Sequence, residues 1–270
     1  MITLIFVGLS CAAITILSKG LAFPLVDAVK PALVVGGLLS AAYFRPYFRP
    51  MLLALSYLVA FSTVYAVLMD ATVAGWSQLS DGLLIRLDAL LGFDVRNVNT
   101  GGLLMKLAYF SFMPQLAYVV WRGDWLFLRR FTMIAFLALA ILAIMPARGN
   151  YTGAHGLGYV AAHFDNLQNC SLVTWRTSQG ILTFPSVHAA VAVLMIIHYW
   201  RHWWIAPLNL AMFISTVPVG RHYVVDLLAG AALTLVSLAI YETTAHSLAG
   251  HSWRGLLCCR AHAGRQAGPA

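Results

Sequence analysis

Long apolar stretches recur along this chain, and they constrain its fold more than any other feature of the sequence. Each stretch has about the 20 residues that a helix needs to cross the hydrocarbon core of a bilayer. Only 10% of the residues are charged, whereas a soluble domain has about 25%. The sequence therefore predicts an all-α fold, a polytopic transmembrane helical bundle. The predicted spans are roughly 2–18, 24–44, 51–74, 103–121, 126–146, 184–200, 204–219 and 223–244.

Arginines in the loops predict which side of the membrane each loop faces. Cytoplasmic loops are enriched in Lys and Arg, so both termini are predicted to be cytoplasmic. The arginines near the cytoplasmic ends of the spans are Arg45, Arg49, Arg122, Arg129, Arg130, Arg201, Arg254, Arg260 and Arg265.

The net charge of +8 is explained by loops that face anionic lipid. No basic stretch alternates with aromatic residues on a soluble face, so the sequence does not predict nucleic-acid binding. The expected partners are membrane lipids, and the oligomeric state stays open.

Two polar motifs lie where apolar stretches begin, on the side opposite the arginine-rich loops. The first is Pro-Ser-Val-His at 185–188, and the second is Gly-Arg-His-Tyr-Val-Val-Asp at 220–226. Ionisable groups at membrane depth are energetically costly and usually mark a functional site. Both motifs are therefore predicted to belong to a site that opens on the extracytoplasmic face.

The second motif has the residue types of an activated nucleophile. On a helix, Asp226 stacks one turn after His222 and can accept a hydrogen bond from one ring nitrogen. The other nitrogen then remains available to attack an electrophile. Arg221 adds a planar cation suited to phosphate oxygens, and the N–H groups at a helix start favour an anion.

The first motif adds a hydroxyl, Ser186, and a second histidine, His188, which can protonate a leaving alkoxide. Together the two motifs are typical of phosphoryl transfer without a metal or another cofactor. A buried polar pair that holds helices together is the structural alternative. Zinc binding by His188, His222 and Asp226 is chemically possible, but no compact ligand motif supports it.

Residues 80–91 predict a short amphipathic helix in the outer interface. Ser80 is a candidate N-cap, and the leucines of this segment follow helical periodicity, with Arg86 and Asp88 nearer the other face. This helix either guides a lipid headgroup inward or serves as a packing element.

The motif at 185–188 and the pattern Ser215-x6-His222-x3-Asp226 resemble the second and third motifs of the type 2 phosphatidic acid phosphatase superfamily. The closest resemblance is to the branch that contains inositol phosphorylceramide synthases, which shows the His-Tyr-x-x-Asp-x-x-x-Gly ending found here at 222–230. The resemblance implies a six-helix core within the about eight spans predicted from the apolar stretches. It also implies that His222 forms a phosphohistidine, Asp226 orients it, His188 protonates the leaving group and Ser186 contacts the phosphate.

The chain departs from the family pattern in its phosphate-binding cations. The third motif commonly begins Ser-Arg, whereas Thr216 follows Ser215 here, and the first motif, a Lys six residues ahead of Arg-Pro, is not present. Other arginines are therefore expected to bind the phosphate: Arg148, Arg176 and Arg221.

These features predict a membrane lipid-phosphate phosphatase or phosphotransferase of the cell (inner) membrane, with a phosphorylated lipid or headgroup as substrate. One alternative is a headgroup transferase of the inositol phosphorylceramide synthase type. An alternative from a different class is a non-enzymatic lipid or ion transporter. The predicted regions are an N-terminal transmembrane hairpin (1–50), a catalytic transmembrane core (51–246) and a cytoplasmic tail (247–270).

Overall fold

The computed structural model describes residues 25–73, 79–94, 102–147, 149, 183–219 and 222–263, with only the backbone for 25–28, 73 and 244–263. Every regular element within these ranges is helical, which confirms the predicted all-α class. The helices are α1 (Leu25–Phe44), a 3-10 turn (Pro46–Phe48), α2 (Arg49–Val73), α3 (Asp81–Leu90), α4 (Leu103–Phe110), α5 (Phe112–Arg122), α6 (Trp125–Ile144), α7 (Val187–His198), α8 (Ile205–Ser215) and α9 (Val224–Ala263).

Four helical segments of the described chain are long and apolar enough to cross a membrane: Pro46–Thr72, Leu103–Arg122, Trp125–Ile144 and Val224–Thr243. Shorter apolar helices cover Val29–Phe44, Val187–His198 and Ile205–Ser215. These segments match the predicted stretches from the second to the eighth and confirm a polytopic helical bundle. The first predicted stretch, 2–18, lies outside the described residues.

The predicted span over 103–121 is divided at Ser111 into α4 and α5. Pro114 has no N–H to donate to the carbonyl one turn earlier, which weakens a helix at that point. The Ser111 hydroxyl donates to the Ala108 carbonyl at 2.6 Å. The break matters because residues on both sides of it reach the candidate site.

Helix α6 lies at the centre of the bundle and packs against α2, α7 and α9. Phe127, Leu128 and Ile134 along it are completely buried. The hydroxyls of Tyr57 in α2 and Thr132 in α6 share a hydrogen bond of 2.5 Å. Because apolar burial does not drive association in lipid, close packing and such polar contacts hold the helices together.

A polar cluster marks the end of the bundle where α6 begins, which we name the opposite end. Asp124 caps α6 by accepting the N–H of Phe127 at 3.0 Å, and it accepts hydrogen bonds from His198 at 2.9 Å and Tyr199 at 2.8 Å. Burial opposes ionisation of this carboxyl, but the hydrogen bonds outweigh it and lower the pKa of Asp124. Arg130 donates to the other ring nitrogen of His198 at 3.3 Å.

The other end of the bundle, named the site end, contains the starts of α7 and α9 and the short helix α3. The backbone N–H of Ser80 donates to the carbonyl of Pro146, just after α6, at 2.7 Å. Helix α3 is therefore tied to the end of α6 and lies beside both predicted motifs.

Candidate active site

Helices α7 and α9 cross closely at the site end, and this crossing brings the two motifs together. The backbone N–H of Ser186 donates to the carbonyl of Asp226 at 3.1 Å. A Cβ atom on Gly230 would lie 2.3 Å from the Ser186 carbonyl oxygen, so only glycine permits this approach. One turn further, the Thr234 hydroxyl donates to the Ala190 carbonyl at 2.9 Å.

The imidazole of His222 is buried and its orientation is fixed by two acceptors. Its Nδ1 atom lies 2.9 Å from the carbonyl oxygen of Thr183 and 3.3 Å from Oδ2 of Asp226. Both neighbours are acceptors, so Nδ1 carries the proton. The lone pair of the neutral ring is therefore on Nε2. This is the nitrogen that does not contact Asp226, and the sequence predicts that this nitrogen attacks the electrophile.

The Thr183 carbonyl is a part of the site that sequence reasoning missed. A backbone carbonyl has no residue signature, and Thr183 is 39 residues from His222 in the chain. The contact exists because the segment before Pro185 passes beside the start of α9.

His188 lies in the first turn of α7, with its ring stacked on that of Tyr109. The two ring centroids are 4.4 Å apart with an interplanar angle of 18°, and the Phe112 ring lies 5.2 Å away. Tyr109 and Phe112 are on the two sides of the α4–α5 break, which aims both rings at His188. Ser186, two residues before His188, donates its backbone N–H to the Asp226 carbonyl, so His188 lies beside the start of α9.

Ser186 caps the start of α7, where its Oγ atom accepts the N–H of Ala189 at 3.3 Å. Its side chain is fully buried. Because the bond to Ala189 uses Oγ as an acceptor, the hydroxyl hydrogen of Ser186 can still donate to a phosphate oxygen.

Thr216 stands where the family pattern commonly has an arginine, and it adds no charge. Its hydroxyl donates to the carbonyl of Met212 at 2.9 Å, and the hydroxyl of Ser215 donates to the same carbonyl at 2.8 Å. Both side chains are completely buried. This pair stabilises the end of α8.

The backbone N–H groups at the start of α9 are already hydrogen-bonded to protein carboxylates, whereas the sequence predicted that they would be free to bind an anion. The N–H of Tyr223 donates to Oδ2 of Asp226 at 2.9 Å. The N–H groups of Val224 and Val225 donate to the two carboxylate oxygens of Asp88, each at 2.9 Å. The positive end of the helix dipole is thus already occupied by carboxylates of the protein.

Helix α3 forms where the sequence predicts it, and Asp88 and Leu90 lie on different faces of it. Asp88 is 0% exposed, whereas Leu90 is 83% exposed, because the two N–H donors of α9 compensate the burial of the carboxylate. Leu84 is the leucine of this helix that packs inward, against Tyr223. Ser80 makes no side-chain capping hydrogen bond.

Tyr223 provides a second link between α9 and α3. Its hydroxyl donates to Oδ1 of Asp81 at 3.0 Å, and the N–H of Gly149 donates to the same oxygen at 2.7 Å. Burial and the Asp81 carboxylate raise the pKa of Tyr223. The phenol therefore stays protonated and remains a donor.

The three predicted phosphate-binding arginines, Arg148, Arg176 and Arg221, lie outside the described residues, and their roles stay predictions. Over the part of the chain that the structure describes, no group of three or more His, Cys, Asp or Glu side chains is arranged to hold a metal ion. The expectation of a metal-independent reaction also stays a prediction.

The fold and the site define a class of protein, an integral membrane protein with a buried His–Asp pair where two helices begin. A family model described as the PAP2 superfamily matches residues 83–240, more than half of the chain. The chain belongs to the PAP2 superfamily. A search of curated proteins and a search of solved structures each found no match.

Family membership supports enzyme status, because members of this superfamily are phosphatases and phosphotransferases. It supports a phosphatase-type activity on lipid phosphates in general. The matched region contains both predicted motifs and helix α3 from residue 83 onward.

Proposed function

We propose that this protein cleaves or transfers a lipid phosphate through a phosphohistidine on His222. The observation that carries the proposal is the paired contact of Nδ1 with the Thr183 carbonyl and Asp226. It supports a ring with its proton on Nδ1 and a nucleophilic lone pair on Nε2.

In the first half-reaction, Nε2 of His222 attacks the phosphorus atom and the bond to the lipid oxygen breaks. The electron pair of that bond stays on the leaving oxygen, which takes a proton from protonated His188. His222 becomes positively charged as the N–P bond forms, and the Asp226 carboxylate stabilises that charge.

In the second half-reaction, a hydroxyl group attacks the phosphorus atom of the phosphohistidine. His188 accepts the proton of this hydroxyl, and the electron pair of the N–P bond returns to Nε2. Water as the acceptor gives a phosphatase, and a lipid or polyol hydroxyl gives a phosphotransferase. The hydroxyl of Ser186 and the cations Arg148, Arg176 and Arg221 are the proposed phosphate ligands.

The nucleophile is tested by phosphate release from a short-chain phosphatidic acid in detergent micelles. We expect His222→Ala to lower kcat by at least roughly 1,000-fold, since removal of a nucleophile abolishes the covalent route. His202→Ala is the matched control, because His202 follows α7 at the opposite end. Turnover by His222→Ala close to that of the wild type would overturn the proposal.

The acceptor is tested by product analysis with a substrate labelled in its phosphate. Label in inorganic phosphate identifies a phosphatase, and label on a second lipid identifies a transferase of the inositol phosphorylceramide synthase type. Label that remains on the intact starting lipid would favour the transporter alternative.

We propose that the site end is extracytoplasmic, because Arg49, Arg122, Arg129 and Arg201 lie at the opposite end. A membrane-impermeant, water-soluble phosphate ester distinguishes the two orientations. We expect its hydrolysis by intact right-side-out vesicles to equal that after permeabilisation. Hydrolysis that requires permeabilisation would contradict this orientation.

A further inference from the structure

Helix α3 contacts the start of α9 through two carboxylates two turns apart, Asp81 and Asp88. The Asp88 carboxylate is fully buried, and each of its oxygens accepts one backbone N–H of α9 at 2.9 Å. A buried carboxylate is stable only when it is hydrogen-bonded or paired. These two bonds therefore fix the position of α3 against the first turn of α9.

The same turn contains the His222–Asp226 pair. Asp226 accepts the N–H of Tyr223 and the Nδ1–H of His222 on one oxygen, Oδ2. The two residues that follow Tyr223, Val224 and Val225, are the ones that Asp88 holds. Movement of this turn would change the position of the carboxylate relative to the imidazole.

We propose that Asp88 is a positioning residue for the nucleophile: by capping α9 from helix α3, it fixes the geometry of His222 and Asp226. The hydrogen bond from the Tyr223 hydroxyl to Asp81 is a second contact between α3 and the residue just before α9. This inference rests on the proposed function, in which His222 attacks the phosphate.

If Asp88 were only a structural cap, its replacement would affect kcat differently. Asp124 is also an N-cap carboxylate, but it caps α6 at the opposite end. If Asp88 only stabilises the fold, Asp88→Asn and Asp124→Asn should affect kcat alike at equal loss of stability. If Asp88 positions the nucleophile, only Asp88→Asn should lower kcat.

The test measures kcat, KM and thermal stability of the full-length protein with the short-chain phosphatidic acid. We expect Asp88→Asn to lower kcat by about 10-fold with KM changed by less than about 2-fold, since small misplacement of reacting groups lowers the rate of chemistry. Asp88→Ala should lower kcat further, because asparagine keeps one acceptor and alanine keeps none. Asp124→Asn should leave kcat unchanged.

Wild-type kcat in folded Asp88→Asn would overturn the inference, as would equal losses in Asp88→Asn and Asp124→Asn. If Asp88→Asn does not fold, Asp88→Glu decides, because the extra methylene displaces the carboxylate that accepts the N–H groups of Val224 and Val225: we expect a kcat about 3-fold lower, and an unchanged kcat would overturn the inference. Full activity in His222→Ala would instead overturn the proposed function, so the two failures are seen in different variants.

Discussion

The replacement Gly230→Ala tests whether the close crossing of α7 and α9 sets the geometry of the site. The new Cβ atom would lie 2.3 Å from the Ser186 carbonyl oxygen and 3.3 Å from the Ala189 Cβ atom. Ordinary contact begins at 3.4 Å, so the carbonyl must retreat by about 1.1 Å. It is backbone, so the start of α7 has to move with it.

That movement displaces His188 relative to His222. A misplacement of about 1 Å can cost roughly 100-fold in rate, so we expect kcat to fall by roughly 10- to 100-fold. Overpacking of this kind also destabilises by about 1–3 kcal/mol, which lowers the melting temperature. Initial rates of phosphate release and thermal unfolding in detergent measure the two effects.

Gly37→Ala is the matched control, because a Cβ atom at this position in α1 meets nothing within 4 Å. We expect wild-type rates and equal or higher stability, since alanine favours a helix over glycine. Wild-type kcat and melting temperature in Gly230→Ala would contradict this prediction, because they would mean that the two helix starts can separate without consequence.

Three further replacements test separate contacts. Asp226→Asn should lower kcat by roughly 1,000-fold, because it removes the negative charge that stabilises the imidazolium. Tyr109→Leu should lower kcat by about 3- to 10-fold, because the ring of His188 loses the aromatic partner that orients it. Asp124→Asn should lower the free energy of unfolding by about 1 kcal/mol. The effect is small because the Asp124 side chain is 21% exposed and water screens its interactions.

The Asp124 replacement also has a pH dependence with a defined sign. Its carboxyl has a lowered pKa in the folded protein, so its contribution is present above the ordinary carboxyl pKa of 3.8 and is lost as the pH falls through the folded value. Melting temperatures of wild type and Asp124→Asn should therefore converge in acid.

Each replacement has an outcome that would contradict it. Equal kcat in Asp226→Asn and wild type would argue against an imidazolium stabilised by this carboxylate. A Tyr109→Leu variant with unchanged kcat would show that the stacked ring does not orient His188. For Asp124→Asn, a constant difference in melting temperature at all pH values would contradict the assignment to an ionised carboxylate.

Local patterns were sufficient to predict the second to the eighth span and the His222–Asp226 pair. The spans depend on runs of apolar residues within one segment, and the pair depends on a four-residue spacing within one turn of helix. Both features are encoded in neighbouring residues, so neither needs knowledge of which helices meet.

Contacts between distant segments could not be predicted in the same way. Asp88 and Val224 are 136 residues apart. Nothing in the leucine-rich pattern of α3 shows that the Asp88 carboxylate accepts hydrogen bonds from backbone N–H groups of α9. The sequence pattern separates Asp88 from most of the leucines, but it does not show which helix the carboxylate contacts. The stacking of Tyr109 on His188 was missed for a related reason, since an aromatic residue in an apolar stretch is usually a packing residue.

Trapping the covalent phosphate on His222 is a direct test of the proposed nucleophile. The protein is mixed with a short-chain phosphatidic acid labelled in its phosphate and quenched in alkali within one turnover. The peptide that retains the label is then identified by mass spectrometry. We expect an alkali-stable, acid-labile phosphate on His222 that is absent from His222→Ala. Label on His188 would contradict the proposal. So would turnover by the wild type without any labelled histidine.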